Sequence, residues 1–211
     1  MPGAISIGSI PAHMVSAVSP SSGFSELFYS RFGGADNLDL ANYVPEVGSW
    51  SAASTSLHLL SNALDSTGAP GVAYASGGAN SVATFSRAAG VSFSFDVQPD
   101  QTAAEGLAIG MLGSTSEAPG GGHGGALMWF YSDANIYCRE EGTEGAAATY
   151  TTDLRHCLIQ LKGTGATYFY NGTQIADLAV GDTDLFYVSL GILGGGWTID
   201  NIRLTSDTQA A

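Results

Sequence analysis

Between the runs Ala166-Thr-Tyr-Phe-Tyr170 and Thr173-Gln-Ile-Ala-Asp-Leu178 lies the dipeptide Asn171-Gly172. A two-residue turn of type I′ needs φ > 0 at both central positions, and asparagine followed by glycine tolerates this best. The dipeptide therefore commits this part of the chain to an antiparallel hairpin. Three further β-rich runs surround it: Cys157-Leu-Ile-Gln-Leu-Lys162, Leu185-Phe-Tyr-Val-Ser-Leu-Gly-Ile-Leu193 and Trp197-Thr-Ile-Asp-Asn-Ile-Arg-Leu204. The last quarter of the sequence reads as an antiparallel sheet.

The same pattern continues upstream. Ser92-Phe-Ser-Phe-Asp-Val97 alternates strictly, which sends Phe93, Phe95 and Val97 to a core face and Ser92, Ser94 and Asp96 outward. Leu107, Ile109 and Met111 repeat it, and Ala126-Leu-Met-Trp-Phe-Tyr131 with Asn135-Ile-Tyr-Cys-Arg139 predicts a second hairpin. Phe24 to Arg31 reads as a first strand, residues 33–50 as a polar, glycine-rich crossing segment ending on Trp50, and Ser56 to Leu60 and Gly71 to Ser76 as short strands. Residues 113–125 form a glycine-rich loop, and a glycine-and-alanine connection leads to Tyr150. About a dozen short runs at this spacing predict an all-β, two-sheet antiparallel sandwich. The 29 glycines and only 12% charged residues fit tight turns and not solvated helices. A chain of 211 residues, 45% hydrophobic, can bury one such core.

The charge pattern restricts partners. Nineteen acidic residues against six basic ones give −13, Lys162 is the only lysine, and Arg31, Arg87, Arg139, Arg155 and Arg203 are scattered singly. A surface that tracks phosphates needs clustered cations, so neither nucleic acid nor membrane insertion is expected. The acidity reads as a source of solubility. Cys138 and Cys157 lack metal-ligand spacing and read as small buried hydrophobes, or as a bridge if their strands are neighbours. Residues 1–22 read as an extended arm, residues 23–206 as the sandwich and residues 207–211 as a tail. The arm carries no Lys or Arg and is interrupted by Pro2, Pro11 and Pro20, so neither a signal peptide nor a spanning helix is expected in it. Its Ile5, Ile7, Ile10, Met14, Val15 and Val18 are more apolar than a solvated tail requires, which suggests docking on a neighbouring subunit.

Together, Phe28-Tyr-Ser-Arg-Phe-Gly-Gly-Ala-Asp-Asn-Leu38 with Pro45-Glu-Val-Gly-Ser-Trp50, the Ser92 to Val97 strand, the Tyr-Phe-Tyr-Asn-Gly hairpin and the closing Trp197-Thr-Ile-Asp-Asn-Ile-Arg-Leu204 resemble the concanavalin A-like lectin/glucanase jelly roll. More narrowly, they resemble the laminin-G-like variety carried by structural and tail-associated proteins of bacteriophages. The resemblance spans Phe24 to Leu204. It implies two stacked antiparallel sheets and a non-enzymatic virion component, either a capsid decoration protein or a tail-associated module. Its expected partners are capsid or tail subunits and cell-surface glycans, with a homo-oligomer left open. The alternative is a carbohydrate-binding module for host or matrix glycans, and a glycosidase ranks third, because the fold itself does not decide function.

Glycoside hydrolysis needs paired carboxylates, which glucanases of this fold carry as Glu-x-Asp-x-x-Glu on one strand. The nearest stretch, Glu140-Glu-Gly-Thr-Glu144, lacks the central aspartate and reads as a solvated turn. Gly120, Gly122 and Gly125 match a dinucleotide fingerprint only by chance, since no strand–helix unit surrounds them. His13, His58, His123 and His156 read as isolated, so no catalytic residue and no cofactor is expected. The resemblance implies one further option, a structural calcium held by Asp200 with Asp36 or Asp39, against which Asp200 and Asn201 read as capping a turn. For sugar binding, Leu127, Trp129 and Tyr131 share one face of their strand, and Tyr137 and Arg139 share a face of the next. If that face is the concave one, Trp129, Tyr131, Tyr137 and Arg139 form a platform for sugar rings; otherwise Trp129 belongs to the core.

Overall fold

The structure is a computed structural model that describes residues 24–51, 57–66, 77–86, 90–100, 106–113, 125–140, 143–162, 165–179, 185–194 and 196–207. Its strands, in chain order, begin with β1 (Phe24–Ser30), β2 (Trp50–Ser51), β3 (His58–Leu60), β4 (Ala63–Asp65), β5 (Gly77–Ser81) and β6 (Phe85–Ser86). The middle of the chain contributes β7 (Val91–Pro99), β8 (Leu107–Leu112), β9 (Ala126–Phe130), β10 (Asn135–Glu140) and β11 (Thr143–Thr149). The last five are β12 (Arg155–Lys162), β13 (Gly165–Tyr170), β14 (Thr173–Ala179), β15 (Leu185–Ile192) and β16 (Trp197–Asp207). A 3-10 turn, Leu40–Asn42, interrupts the crossing segment.

These strands form two eight-stranded sheets. The first runs β14-β13-β12-β7-β16-β4-β3, with β1 also on β16; the second runs β11-β10-β9-β8-β15-β5-β2, with β6 also on β15. Every pairing is antiparallel. The Asn171-Gly172 turn joins β13 to β14 with φ of 49° and 77°, as the dipeptide requires. In β7 the expected alternation holds, with Phe93 and Phe95 fully buried opposite Ile159 and Cys157 of β12, and Val97 at 1% exposure. Trp197, fully buried at the start of β16, packs 5.6 Å from both Phe130 and Tyr150 and donates its Nε1–H to Gly194 O at 3.1 Å. Cutting back such an aromatic anchor typically costs about 3–5 kcal/mol.

The structure adds the short strands β4, β5 and β6, which the sequence reading did not include, and two further elements differ from it. Thr143–Thr149 is a full edge strand and not a loose connection, because its pairing with β10 supplies the ladder that its alanines and glycine do not favour on their own. In β8 both faces are buried, although Leu107, Ile109 and Met111 alone were expected inside; Ala108 and Leu112, on the opposite face, are each at 1% exposure. The strand expected over residues 71–76 and the arm residues Ile5, Ile7, Ile10, Met14, Val15 and Val18 lie outside the described residues.

Cys138 of β10 and Cys157 of β12 are buried and unbridged, and they belong to opposite sheets. Burial pushes the Cys138 thiol up to about 12 and the Cys157 thiol well above its ordinary value, so both act as small hydrophobes. Among the described residues no helix is long and apolar enough to cross a membrane.

Candidate functional site

The outer face of the second sheet is set by register. Tyr137 of β10 lies opposite Trp129 of β9, which lies opposite Ala108 of β8 and, beyond it, Gly191 of β15. In the next row Arg139, Leu127, Gly110 and Ser189 are aligned. Since side chains alternate along a strand, Met128 and Phe130 enter the core, fully buried, while Leu127 and Trp129 point away from it. The four residues picked out for a sugar platform are therefore brought together. The Arg139 Cζ sits 4.7 Å over the Trp129 ring, a cation–π contact. Tyr131, just beyond β9, meets Trp129 at 5.1 Å and 78° and Tyr137 at 6.2 Å and 89°.

This face is not uniformly open. Ala108, Leu112 and Leu127 form a small apolar cluster of their own, with Trp129 packed against it. Trp129 thus combines both sequence readings: it points away from the main core yet is half-buried in a second one. Its Nε1 is buried and has no hydrogen-bond partner among the described residues. Gly106 lies against this nitrogen; a Cβ there would stand 2.9 Å from it and 3.2 Å from the Leu193 Cδ1. The solvent-facing part of the cluster is Tyr131, at 42% exposure, with Leu193 nearby at 53%.

Asp133 completes the group and escaped the sequence reading. The Tyr137 hydroxyl donates to its Oδ2 at 2.5 Å and the Asn135 N–H to its Oδ1 at 2.9 Å. These two bonds hold its carboxyl below the usual carboxylate range, the Tyr137 bond contributing most. The available signal was local: an aspartate two residues before the first residue of a strand commonly accepts from that backbone N–H.

The residues considered for calcium are not gathered into one site. Asp36 accepts the Ser61 N–H at 2.8 Å, which anchors the crossing segment to the β3–β4 turn, and Asp39 meets His58 Nδ1 at 3.0 Å. Asp200 accepts the N–H of its neighbour Asn201 at 2.7 Å. Among the described residues no three His, Cys, Asp or Glu side chains stand together to hold a metal. Asp200 instead lines an open polar cleft of about 490 Å³ with Arg31, Gly33, Gly34, Asn62 and Asn201. Glu46 fixes Arg31 at the mouth of this cleft through a 2.8 Å ion pair with Nε. Burial opposes the Glu46 charge, but bonds from the Arg31 N–H and the Tyr43 hydroxyl outweigh it and keep its carboxyl below the ordinary range.

His58 and His156 are also not isolated. His156 Nδ1 lies 2.7 Å from Asp96 Oδ1, and the other Asp96 oxygen accepts from Asn201 Nδ2 at 2.8 Å. Asp96 stands directly opposite Asp200 in the β7–β16 ladder. Burial, followed among the factors that raise it by repulsion from Asp96, pushes the Asp200 carboxyl up from its ordinary value, against the pull of the Asn201 N–H. His13 and His123 lie outside the described residues, as do the side chains of Glu140, Glu141 and Glu144.

No protein-family profile matches the chain, and no curated protein is similar to it in sequence. Solved structures are similar in fold. The carbohydrate recognition domain of Emp47p superposes with a TM-score of 0.63 at 8% identity, covering 89% of this chain and 99% of that one. A sialidase gives 0.58 at 10% identity over 89% of this chain, but the match takes up only 19% of the sialidase. A glycosyl hydrolase family 16 protein from Mycobacterium smegmatis str. MC2 155 gives 0.53 at 15% identity, over 85% of this chain and 100% of that one. At these identities the likeness is one of architecture, and that architecture is the concanavalin A-like jelly roll.

Proposed function

We propose that this chain is a non-enzymatic glycan-binding module whose site is the Trp129–Tyr131–Tyr137–Arg139 group on the outer face of the second sheet. The observation that carries this is the assembly of three aromatic rings and a guanidinium on one side of β9 and β10, with the Tyr131 ring reaching solvent. Aromatic rings with polar tips stack on the C–H faces of sugars, while neighbouring polar groups bond their hydroxyls. The fold shared with a carbohydrate recognition domain supports the same reading.

The fold is also shared with a glycosyl hydrolase, but hydrolysis needs two carboxylates about 5–9.5 Å apart. Among the described side chains at this site the carboxylate is Asp133, already engaged by Tyr137 and Asn135, while Glu144 stands opposite Arg139 in the β10–β11 ladder with its side chain outside the described ones. The finer reading, attachment of such a module to a bacteriophage capsid or tail, rests on the sequence resemblance and the apolar arm alone, and the similar structures lend it no support.

A glycan array followed by calorimetry tests the proposal. Wild-type protein should bind one class of glycan without turning it over, and Tyr131→Ala should weaken that binding at least about tenfold, or 1.4 kcal/mol, with an unchanged melting temperature. Binding untouched by Tyr131→Ala, or release of sugar that disappears when a carboxylate is replaced, would overturn it.

A further inference from the structure

The arrangement of the rings says which part of a glycan fits. Sugar chains that bind along their length need aromatic rings spaced so that each takes its own sugar. Here Tyr131 touches both neighbours, with centroids 5.1 Å from Trp129 and 6.2 Å from Tyr137, and stands at 78° and 89° to them. Rings in mutual contact leave no room for a sugar between them, and near-perpendicular planes form a corner. Arg139 already covers part of the Trp129 ring at 4.7 Å, and the Tyr137 hydroxyl is committed to Asp133. Of the three rings Tyr131 is the most open, at 42% exposure, while Trp129 and Tyr137 are half-buried.

Toward the middle of the sheet the path is closed as well. An extended chain lying across the strands from Trp129 would pass over Ala108 and Gly191, and in the adjacent row from Leu127 over Gly110 and Ser189. Ala108 and Ser189 are each at 1% exposure and Leu127 at 3%, so that track offers a sugar chain almost no accessible surface. We infer that the corner takes a single terminal sugar residue, stacked on Tyr131 and bounded by Trp129 and Tyr137, and does not take an internal stretch of a polysaccharide. This rests on the glycan-binding reading above.

The test compares ligands of different length. Methyl glycosides of mannose, glucose and galactose are titrated calorimetrically, followed by mannan and β-1,3-glucan oligosaccharides of increasing length. The expected result is a dissociation constant per chain end that stays within about threefold from the monosaccharide glycoside to the longest oligomer, with binding lost when the non-reducing terminal residue is chemically capped. Tyr131→Phe should retain the affinity and Tyr131→Ala should lose it. Affinity that climbs tenfold or more with length, or survives capping, overturns the single-residue site while leaving glycan binding standing. Failure of every glycan on a broad array to bind removes the glycan-binding reading and this inference with it.

Discussion

Asp200 is held in a position that disfavours its charge. It is half-buried beside the cleft, and Asp96 faces it directly across the ladder, where like charges repel. A carboxyl whose folded pKa lies above its unfolded value supports the fold fully below the unfolded pKa, about 3.9 for aspartate, and loses that support as pH rises through the folded pKa. Above the folded pKa the unfavourable charge is present. Asp200→Asn keeps an oxygen for the Asn201 N–H and removes the charge, so in the presence of a chelator it should melt higher than wild type at pH 7. The gap should close as pH is lowered through the carboxylate range, which thermal melts at a series of pH values would show. The Asp96–His156 pair was not legible in the sequence, because sixty positions separate its members and only the β7–β12 pairing brings them together. Trp129 was legible as a choice between two faces, but not as a residue serving a second small core, since Ala108 and Leu112 acquire that role only through their alignment beside it.

Among the elements, the β13–β14 hairpin was the most readable because its turn has one chemical solution. Replacing Asn171-Gly172 with Ala-Ala puts two Cβ-bearing residues without a compensating side chain at φ of 49° and 77°. The left-handed region costs about 1–2 kcal/mol per such residue, so denaturant melts should show a loss on the order of 2 kcal/mol, with little change in sugar affinity. β7 was equally plain from its strict alternation. β11 was not, since Thr143-Glu-Gly-Ala-Ala-Ala-Thr149 has the composition of a linker and is a strand only through its neighbour β10. The site inherits the same division. Tyr137 and Arg139 could be placed on one face from period-two spacing, whereas the approach of Gly106 to Trp129 depends on how a separate stretch of chain passes it.

Among the described residues, the first strand pairs with the last. Phe24 of β1 lies opposite Asp207 of β16, and the pairing continues to Ser30 opposite Ile202. Antiparallel partners stand about 5 Å apart, so the two ends of the sandwich are adjacent. A circular permutant that joins residue 207 to residue 24 through a short glycine–serine linker, and opens instead at the exposed Thr152-Asp153, should fold and melt close to the parent without residues 1–23. A permutant that fails to fold while the two unlinked fragments, 24–152 and 153–207, fold together would show that the junction strains β1 against β16. The same adjacency determines how the domain responds to tension. Because the neighbouring ends of an antiparallel pair are pulled apart from one side, load reaches the β1–β16 hydrogen bonds one after another and does not act on all of them at once. A domain tethered through its two ends therefore opens like a zipper, at low force, with β1 leaving first while the second sheet and its aromatic corner are still intact.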